Sequence, residues 1–227
     1  MRVIDLSHTL TADHPRWKPG IAIKGDVSAG DLFQVTTLTT SCHAFTHVDA
    51  GRHFFAGAAT IEATPLEVVV GPCSVIDLRD VEANQEIGPE LLAARFEDWR
   101  EGDFALLCTG WDRHRAIDDL NFWRDAPYLS RAAAVWLRER GITTIAYDFP
   151  QDYVIRLLLD GEVRPGPEHV THDVLLRAGV TMIEYVCNAH TIAAPRVLLS
   201  AAPLKVDGGD GAPARVYALE GPLPSLV

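Results

Sequence analysis

The chain has 227 residues, 48% of them hydrophobic and 22% charged, a globular composition long enough for one sizeable core and therefore for one domain over 1–227. Its 31 acidic residues against 20 Lys plus Arg leave a formal charge of −11, which repels phosphate backbones and anionic lipid and argues against nucleic acid or membrane as partners. No apolar run reaches the roughly 20 residues that cross a bilayer, and the N-terminus lacks the basic region and apolar core of a secretion signal, so a cytoplasmic protein is expected.

The first third reads as β structure. Val3 to Leu6, Ile21 to Lys24, Phe33 to Thr40, Leu66 to Val70 and Cys73 to Leu78 are runs rich in Val, Ile, Thr and Phe, bounded by Gly, Pro or Asp. Pro89 opens a predicted helix to Trp99, and the strand Phe104 to Thr109 follows. Ser130 suits the N-cap of a second helix, Arg131 to Arg140, which stops at Gly141. Then come the strand Ile142 to Tyr147, a helix near Glu168 to Ala178, a turn at Gly179 and the strand Met182 to Val186. Strand–helix–strand alternation implies some parallel pairing. The Pro- and Gly-rich stretch within 149–167 predicts an exposed arm, able to cover a neighbouring subunit. Val197 to Leu204 and Arg215 to Leu219 read as closing strands around a turn at Asp207 to Gly211. The expected class is α/β (α+β), with a β-rich N-terminal half and helices packed on a mixed sheet.

Four cysteines, Cys42, Cys73, Cys108 and Cys187, form no C-x-x-C pair and read as reduced, mostly buried thiols. The nine histidines are more informative, because neutral imidazole is the commonest metal ligand. His43, His47, Asp49 and His53 fall within one short segment, and all four are metal-compatible donors. A straight helix at about 100° per residue cannot bring them to one face. A straight strand puts all four odd-numbered residues on one face but spreads His43 and His53 roughly 33 Å apart. The segment must bend, most simply by a helical turn pairing His43 with His47 and a loop at Gly51. Farther on, Glu184 sits in an otherwise apolar strand, where burial of its charge calls for a counter-ion; the alternative is an edge strand with Glu184 facing solvent. Ser7, Ser41 and Ser74 lack a nucleophile elbow, and no phosphate-binding glycine loop is present.

The run His43-Ala44-Phe45-Thr46-His47-Val48-Asp49-Ala50-Gly51-Arg52-His53 resembles the signature H-x-G-T-H-x-D-x-P-x-H of the cyclase, or bacterial kynurenine formamidase-like, metal-dependent hydrolases. Further matches are Asp5-Leu6-Ser7, Trp17 near Pro19 and Gly20, Gly71-Pro72-Cys73, Ile76-Asp77-Leu78, Thr109-Gly110-Trp111 and Ala146-Tyr147-Asp148, so the likeness spans most of the chain. It implies a swivelling β/β/α domain and a homo-oligomer, dimer or tetramer. It also implies a Zn2+ or Mn2+ site of one or two ions. His43, His47 and Asp49 would bind one ion, and Asp49 would bridge to a second held by His172 and Glu184, which have the family's twelve-residue spacing; His169 is the competing nearby donor. His53 would remain free as general base and acid.

The implied reaction is hydrolysis of an amide-type C–N bond of a small, aromatic substrate, such as an N-formyl arylamine. The alternatives are isatin-type lactam opening, a cyclisation or dehydration at the same site, and a non-catalytic metal-dependent binding protein. Trp17 matches a ring-stacking position. Two departures mark the pocket: Phe45 replaces the signature glycine, adding a ring at the substrate side and calling for different backbone angles, and Gly51 replaces proline, loosening the loop before His53. Arg16, Lys18 and Arg52 are the cations placed to meet a substrate carboxylate.

Overall fold

The computed structural model describes residues 1–222. β1 (Arg2–Asp5) is followed by a ribbon of β2 (Gly20–Gly25) and β3 (Val35–Thr39), then by the short β4 (His47–Asp49). β5 (Val70–Asp77) and β6 (Glu86–Ile87) precede α1 (Pro89–Arg95), and β7 (Phe104–Cys108) leads into α2 (Trp111–His114) and α3 (Asn121–Arg124). After β8 (Tyr128–Leu129) come α4 (Arg131–Glu139), β9 (Thr144–Tyr147), α5 (Val170–Val174) and β10 (Thr181–Glu184). β11 (Arg196–Ser200), β12 (Gly211–Pro213) and β13 (Tyr217–Glu220) complete the described chain.

Nine strands make one mixed sheet in the order β1-β13-β11-β5-β7-β9-β10-β4-β12. The central β5, β7, β9 and β10 run parallel, as their intervening helices require, and the flanking pairs are antiparallel. Both faces are covered. Along β7, Ala105 and Leu107 enter the core beneath the helices, whereas Phe104, Leu106 and Cys108 enter a second core on the other face, the period of two expected of a strand buried on both sides. In α4 the Ser130 hydroxyl caps Ala133 N at 3.0 Å, Ala133, Ala134 and Leu137 are buried, and Gly141 turns the chain out at φ +75°.

Several boundaries differ from the sequence expectation. Leu66 to Val68 form a 3-10 turn after Pro65 rather than a strand, leaving Leu66 exposed, and β5 begins only at Val70. α1 ends at Arg95 rather than Trp99, whose indole donates to Asp103 O. The expected 168–178 helix is divided into 3-10 turns around α5. Of the stretch 149–167, Phe149, Gln151, Asp152, Val154 and Ile155 are buried and the continuous exposed run starts at Asp160. The most exposed apolar element is instead the β2–β3 ribbon, with Ile21, Ile23, Phe33, Val35 and Leu38 all open. All four cysteines are free, Cys73, Cys108 and Cys187 being buried. No described helix is long and apolar enough to cross a membrane.

Two matched motifs meet at the end of the sheet. The buried Asp148 carboxylate after β9 accepts hydrogen bonds from Thr109 N, Thr109 Oγ1 and Gly110 N after β7, at 2.9, 2.6 and 2.7 Å. This clamp fixes the carboxyl ends of two parallel strands, the edge beside which α/β proteins build their sites.

Candidate metal centre

The site begins with strand pairing. β4 and β10 are antiparallel, with His47 opposite Glu184, Val48 opposite Ile183 and Asp49 opposite Met182. Residues opposite one another share a face, so Val48 and Ile183 enter one core while His47, Asp49 and Glu184 converge on the other side. Glu184 is 4% exposed on an interior strand, which rules out the edge-strand alternative.

The segment bends as its donor spacing requires, but through a different device. Phe45 sits at φ +56°, the left-handed conformation in which the matched signature has glycine. The glycine's geometry has therefore been kept by a bulky residue, at a cost of about 1–2 kcal/mol. The turn drives the Phe45 ring beneath Trp17 and against His14, with centroids 4.7 and 4.8 Å apart. Phe45 is fully buried and does not line the cavity, contrary to the expectation of substrate contact; it supports Trp17 from behind. The Gly51 loop is not loose either. It is a 3-10 turn pinned by His53 N to Ala50 O, Phe55 N to Gly51 O and Arg52 N to Ala59 O.

Each inner histidine is oriented by a partner behind it. His47 Nδ1 donates to Phe45 O at 2.7 Å, so Nε2 faces Asp49 Oδ1 at 3.2 Å and Glu184 Oε2 at 3.8 Å. His172, in the short α5, donates Nδ1–H to Asp152 Oδ2 at 2.7 Å and turns Nε2 toward Asp49 Oδ2 and Glu184 Oε1, each at 3.4 Å. Asp152 is itself held by Thr171 N at 2.7 Å. A carboxylate behind a histidine that faces other donors is the usual arrangement for fixing the tautomer of a ligand. The buried Gln151 amide donates to Glu184 Oε1.

Three donor groups have ligand atoms within 4.8 Å of one another: His47, Asp49 and Glu184; His43, Asp49 and His53; and Asp152, His169 and His172. Asp49 belongs to two of them. His43 lies beside His53 in one group, and its Nδ1 also shares Asp49 Oδ1 with His47 Nε2, at 2.8 and 3.2 Å. The His43 and His53 rings stack at 3.7 Å. His169, the competing donor, lies on the Asp152 side of His172.

Electrostatics favour a cation. Among the described residues no Lys or Arg lies within 4.0 Å of Asp49, Glu184 or Asp152, whose only ionic neighbours are histidines. Burial alone would raise the Asp49 carboxyl, yet the surrounding His172, His43 and His47 imidazoles outweigh it and hold it well below the usual range. Burial likewise opposes a charged His43, but Asp49 and Asp210 overcome this and raise it to about 9. The same carboxylates favour the charged form of the His43 and His172 rings, so a divalent cation is a chemically matched partner for this set. Asp49 Oδ2 is buried without a hydrogen-bond donor. His and carboxylate donors with no thiolate suit Zn2+ or Mn2+, so the residues present fit such an ion.

His53 differs from the inner rings. Burial, the largest influence, lowers it to about 4 and leaves it neutral at pH 7. Its Nδ1 is 3.8 Å from Asp210 Oδ2, which also lies 3.0 Å from His43 Nε2. Asp210 was not singled out in the sequence; its signal was the Gly-flanked Asp207 to Gly211 turn. Ala50 N bonds to Asp210 O at 3.0 Å and Gly211 pairs with Asp49, which carries this distant loop to the site.

The cluster opens into a cavity of about 660 Å³ lined by Trp17, His43, His47, His53, His172 and Glu184, with Phe54, Leu120, Ile155, Leu158 and Leu159 forming an apolar side. His8 and His114 enter none of the donor groups.

A family model described as putative cyclase matches residues 4–151. Kynurenine formamidase of Bacillus mycoides (strain KBAB4) is 30% identical over 93% of this chain and 94% of its own. Isatin hydrolase A from Labrenzia aggregata, solved bound to benzyl benzoate, superposes with a TM-score of 0.78 at 25% identity, covering 96% of this chain and 93% of its own. A predicted metal-dependent hydrolase from Bacillus stearothermophilus gives 0.72 at 28% identity, covering 96% and 97%. A motif-bearing bend, a mixed sheet and a buried His/carboxylate cluster thus coincide with matches across nearly the whole chain, which belongs to the cyclase family.

Proposed function

We propose that the chain is a metal-dependent hydrolase that cleaves the C–N bond of a small aromatic amide, with an N-formyl arylamine of the N-formylkynurenine type as its substrate. The observation that carries this reading is the buried convergence of His47, Asp49, His172 and Glu184 with no lysine or arginine within 4.0 Å of the carboxylates among the described residues. These four residues would hold the principal ion, and Asp49 would bridge to a second one beside His43. When bound, such an ion supplies a Lewis acid and lowers the pKa of water from about 15.7 to near 7.

The chain's own groups supply the rest. His53, neutral at pH 7 and set just beyond the inner donors, takes the proton of the attacking water and returns it to the leaving nitrogen. Trp17, backed by Phe45, provides an aromatic wall, and Phe54 with Leu158 and Leu159 excludes water from the opposite side. The likeness to isatin hydrolase A supports a second reading, lactam ring opening by the same attack on a cyclic amide. The exposed β2–β3 ribbon supports a homo-oligomer.

The test is metal analysis followed by assays of N-formylkynurenine, aryl formamides and isatin with wild type, His47→Ala and His53→Ala. Bound Zn2+ or Mn2+ with formamide turnover, lost in both variants while His53→Ala retains metal, is the expected result. Protein that cannot be loaded with metal overturns the proposal. Loaded protein that turns over neither amide nor lactam leaves a binding protein.

A further inference from the structure

Three cations near the signature were candidates for a substrate carboxylate, and tertiary structure separates them. Lys18 and Arg52 are exposed and outside the cavity, whereas Arg16 lines it and is the only Lys or Arg among its described lining residues. The Arg16 side chain is half-buried, its guanidinium carbon 5.2 Å above the centre of the Trp123 ring. No carboxylate among the described residues lies within 4.0 Å of it. The one carboxylate in the lining, Glu184, is engaged by Gln151, His47 and His172. A guanidinium is always charged and presents a planar fork of donors that fits a carboxylate.

The turn carrying Arg16 is rigidly built. His14 is 1% exposed, and its Nε2 donates to Ile117 O at 2.9 Å. That leaves Nδ1 to accept from Arg16 N at 3.2 Å and Trp17 N at 3.3 Å, while Lys18 N closes the turn on His14 O. His14 stacks on Trp17 at 4.7 Å, and Trp17 meets Trp123 edge-on at 5.3 Å. One buried histidine therefore fixes both the cation and the adjacent aromatic wall, and the Trp123 face below preorganises the guanidinium.

We propose that Arg16 is a carboxylate-binding subsite that selects anionic substrates: aryl amides bearing a carboxylate, held by the Arg16 fork while the ring lies against Trp17. The inference rests on the amidohydrolase reading of this cavity and adds the charge of the substrate.

The experiment compares kcat/KM of the metal-loaded enzyme for 2-, 3- and 4-formamidobenzoate with that for formanilide. Wild type is expected to favour at least one carboxylated isomer by tenfold or more. Arg16→Gln is expected to lower that preference ratio at least tenfold, and Arg16→Lys to restore part of it as a point charge without the fork. An absent preference in wild type, or a ratio within twofold of wild type in Arg16→Gln, overturns the subsite and reduces Arg16 to packing on Trp123. Calorimetric binding of the aminobenzoates against aniline separates this from failure of the parent reading. If wild type hydrolyses no formamide yet binds an aminobenzoate tenfold more tightly than aniline, and Arg16→Gln loses that margin, the subsite stands and the hydrolase reading falls.

Discussion

Asp152 Oδ2 accepts the Nδ1–H of His172 at 2.7 Å, and this one contact decides which ring nitrogen His172 offers to Asp49 and Glu184. Replacing Asp152 with Asn weakens the acceptor without emptying the space. Cation affinity, read by chelator competition, is expected to fall about 10–100-fold, the usual effect of losing such an orienting carboxylate. An unchanged affinity would show that His172 is held by packing against Phe54, whose ring stacks on it at 4.3 Å.

Gly211 allows β12 to pass close to His43. A Cβ there would come within 2.7 Å of His43 Cε1 and 2.9 Å of Val48 O, and the latter is backbone that cannot swing aside. Gly211→Ala is therefore expected to displace the His43 ring and the Asp210 loop together. Metal content below that of wild type, with the far-UV circular dichroism spectrum retained, is the expected signature.

Phe45→Gly tests two opposed effects. Removing the left-handed strain gains about 1–2 kcal/mol, while emptying a fully buried aromatic position costs about 3–5 kcal/mol. Cavity loss wins, so urea denaturation is expected to show a net loss of about 2 kcal/mol. A more stable variant would mean that the strain exceeds the packing gain.

Acid sensitivity should arise partly at His8, which belongs to none of the donor groups. Burial is the main cause that lowers its pKa from 6.5 to about 4, against a smaller opposing pull from Asp112, and its Nε2 has no hydrogen-bond partner. Between those values the unfolded chain binds a proton that the folded chain does not, so stability falls as pH drops from 6.5 toward 4. The full effect is at most about 3 kcal/mol. Urea midpoints at pH 7.5 and 4.5 should converge more in His8→Gln than in wild type; equal acid sensitivity would remove His8 as the cause.

Metal removal should destabilise the fold as well as the site. An ion at 100 times its dissociation constant adds about 2.7 kcal/mol to the native state. Chelator-treated protein should melt at lower temperature and recover on addition of Zn2+ or Mn2+. A melting temperature indifferent to both would argue against a cation at Asp49 and Glu184.

The sequence by itself determined the inventory and the local periodicities. The clustering of His43, His47, Asp49 and His53 required a bend, the apolar run around Glu184 marked a carboxylate needing a counter-charge, and Ser130 with Gly141 bounded α4, because each depends only on neighbours along the chain; that His47 to Asp49 form a strand was not legible there. Resemblance extended this to the pairing of His172 with Glu184. Only the tertiary structure decided that β10 is β4's neighbour, so that Glu184 faces His47, and that the loops holding Asp152 and Asp210 end behind His172 and between His43 and His53. Those contacts join segments far apart in the chain, and their existence depends on strand order, which local propensity does not encode. The same holds for charge: Arg16, Lys18 and Arg52 were equivalent candidates in the sequence, and only the His14-anchored turn carries Arg16 alone to the cavity wall.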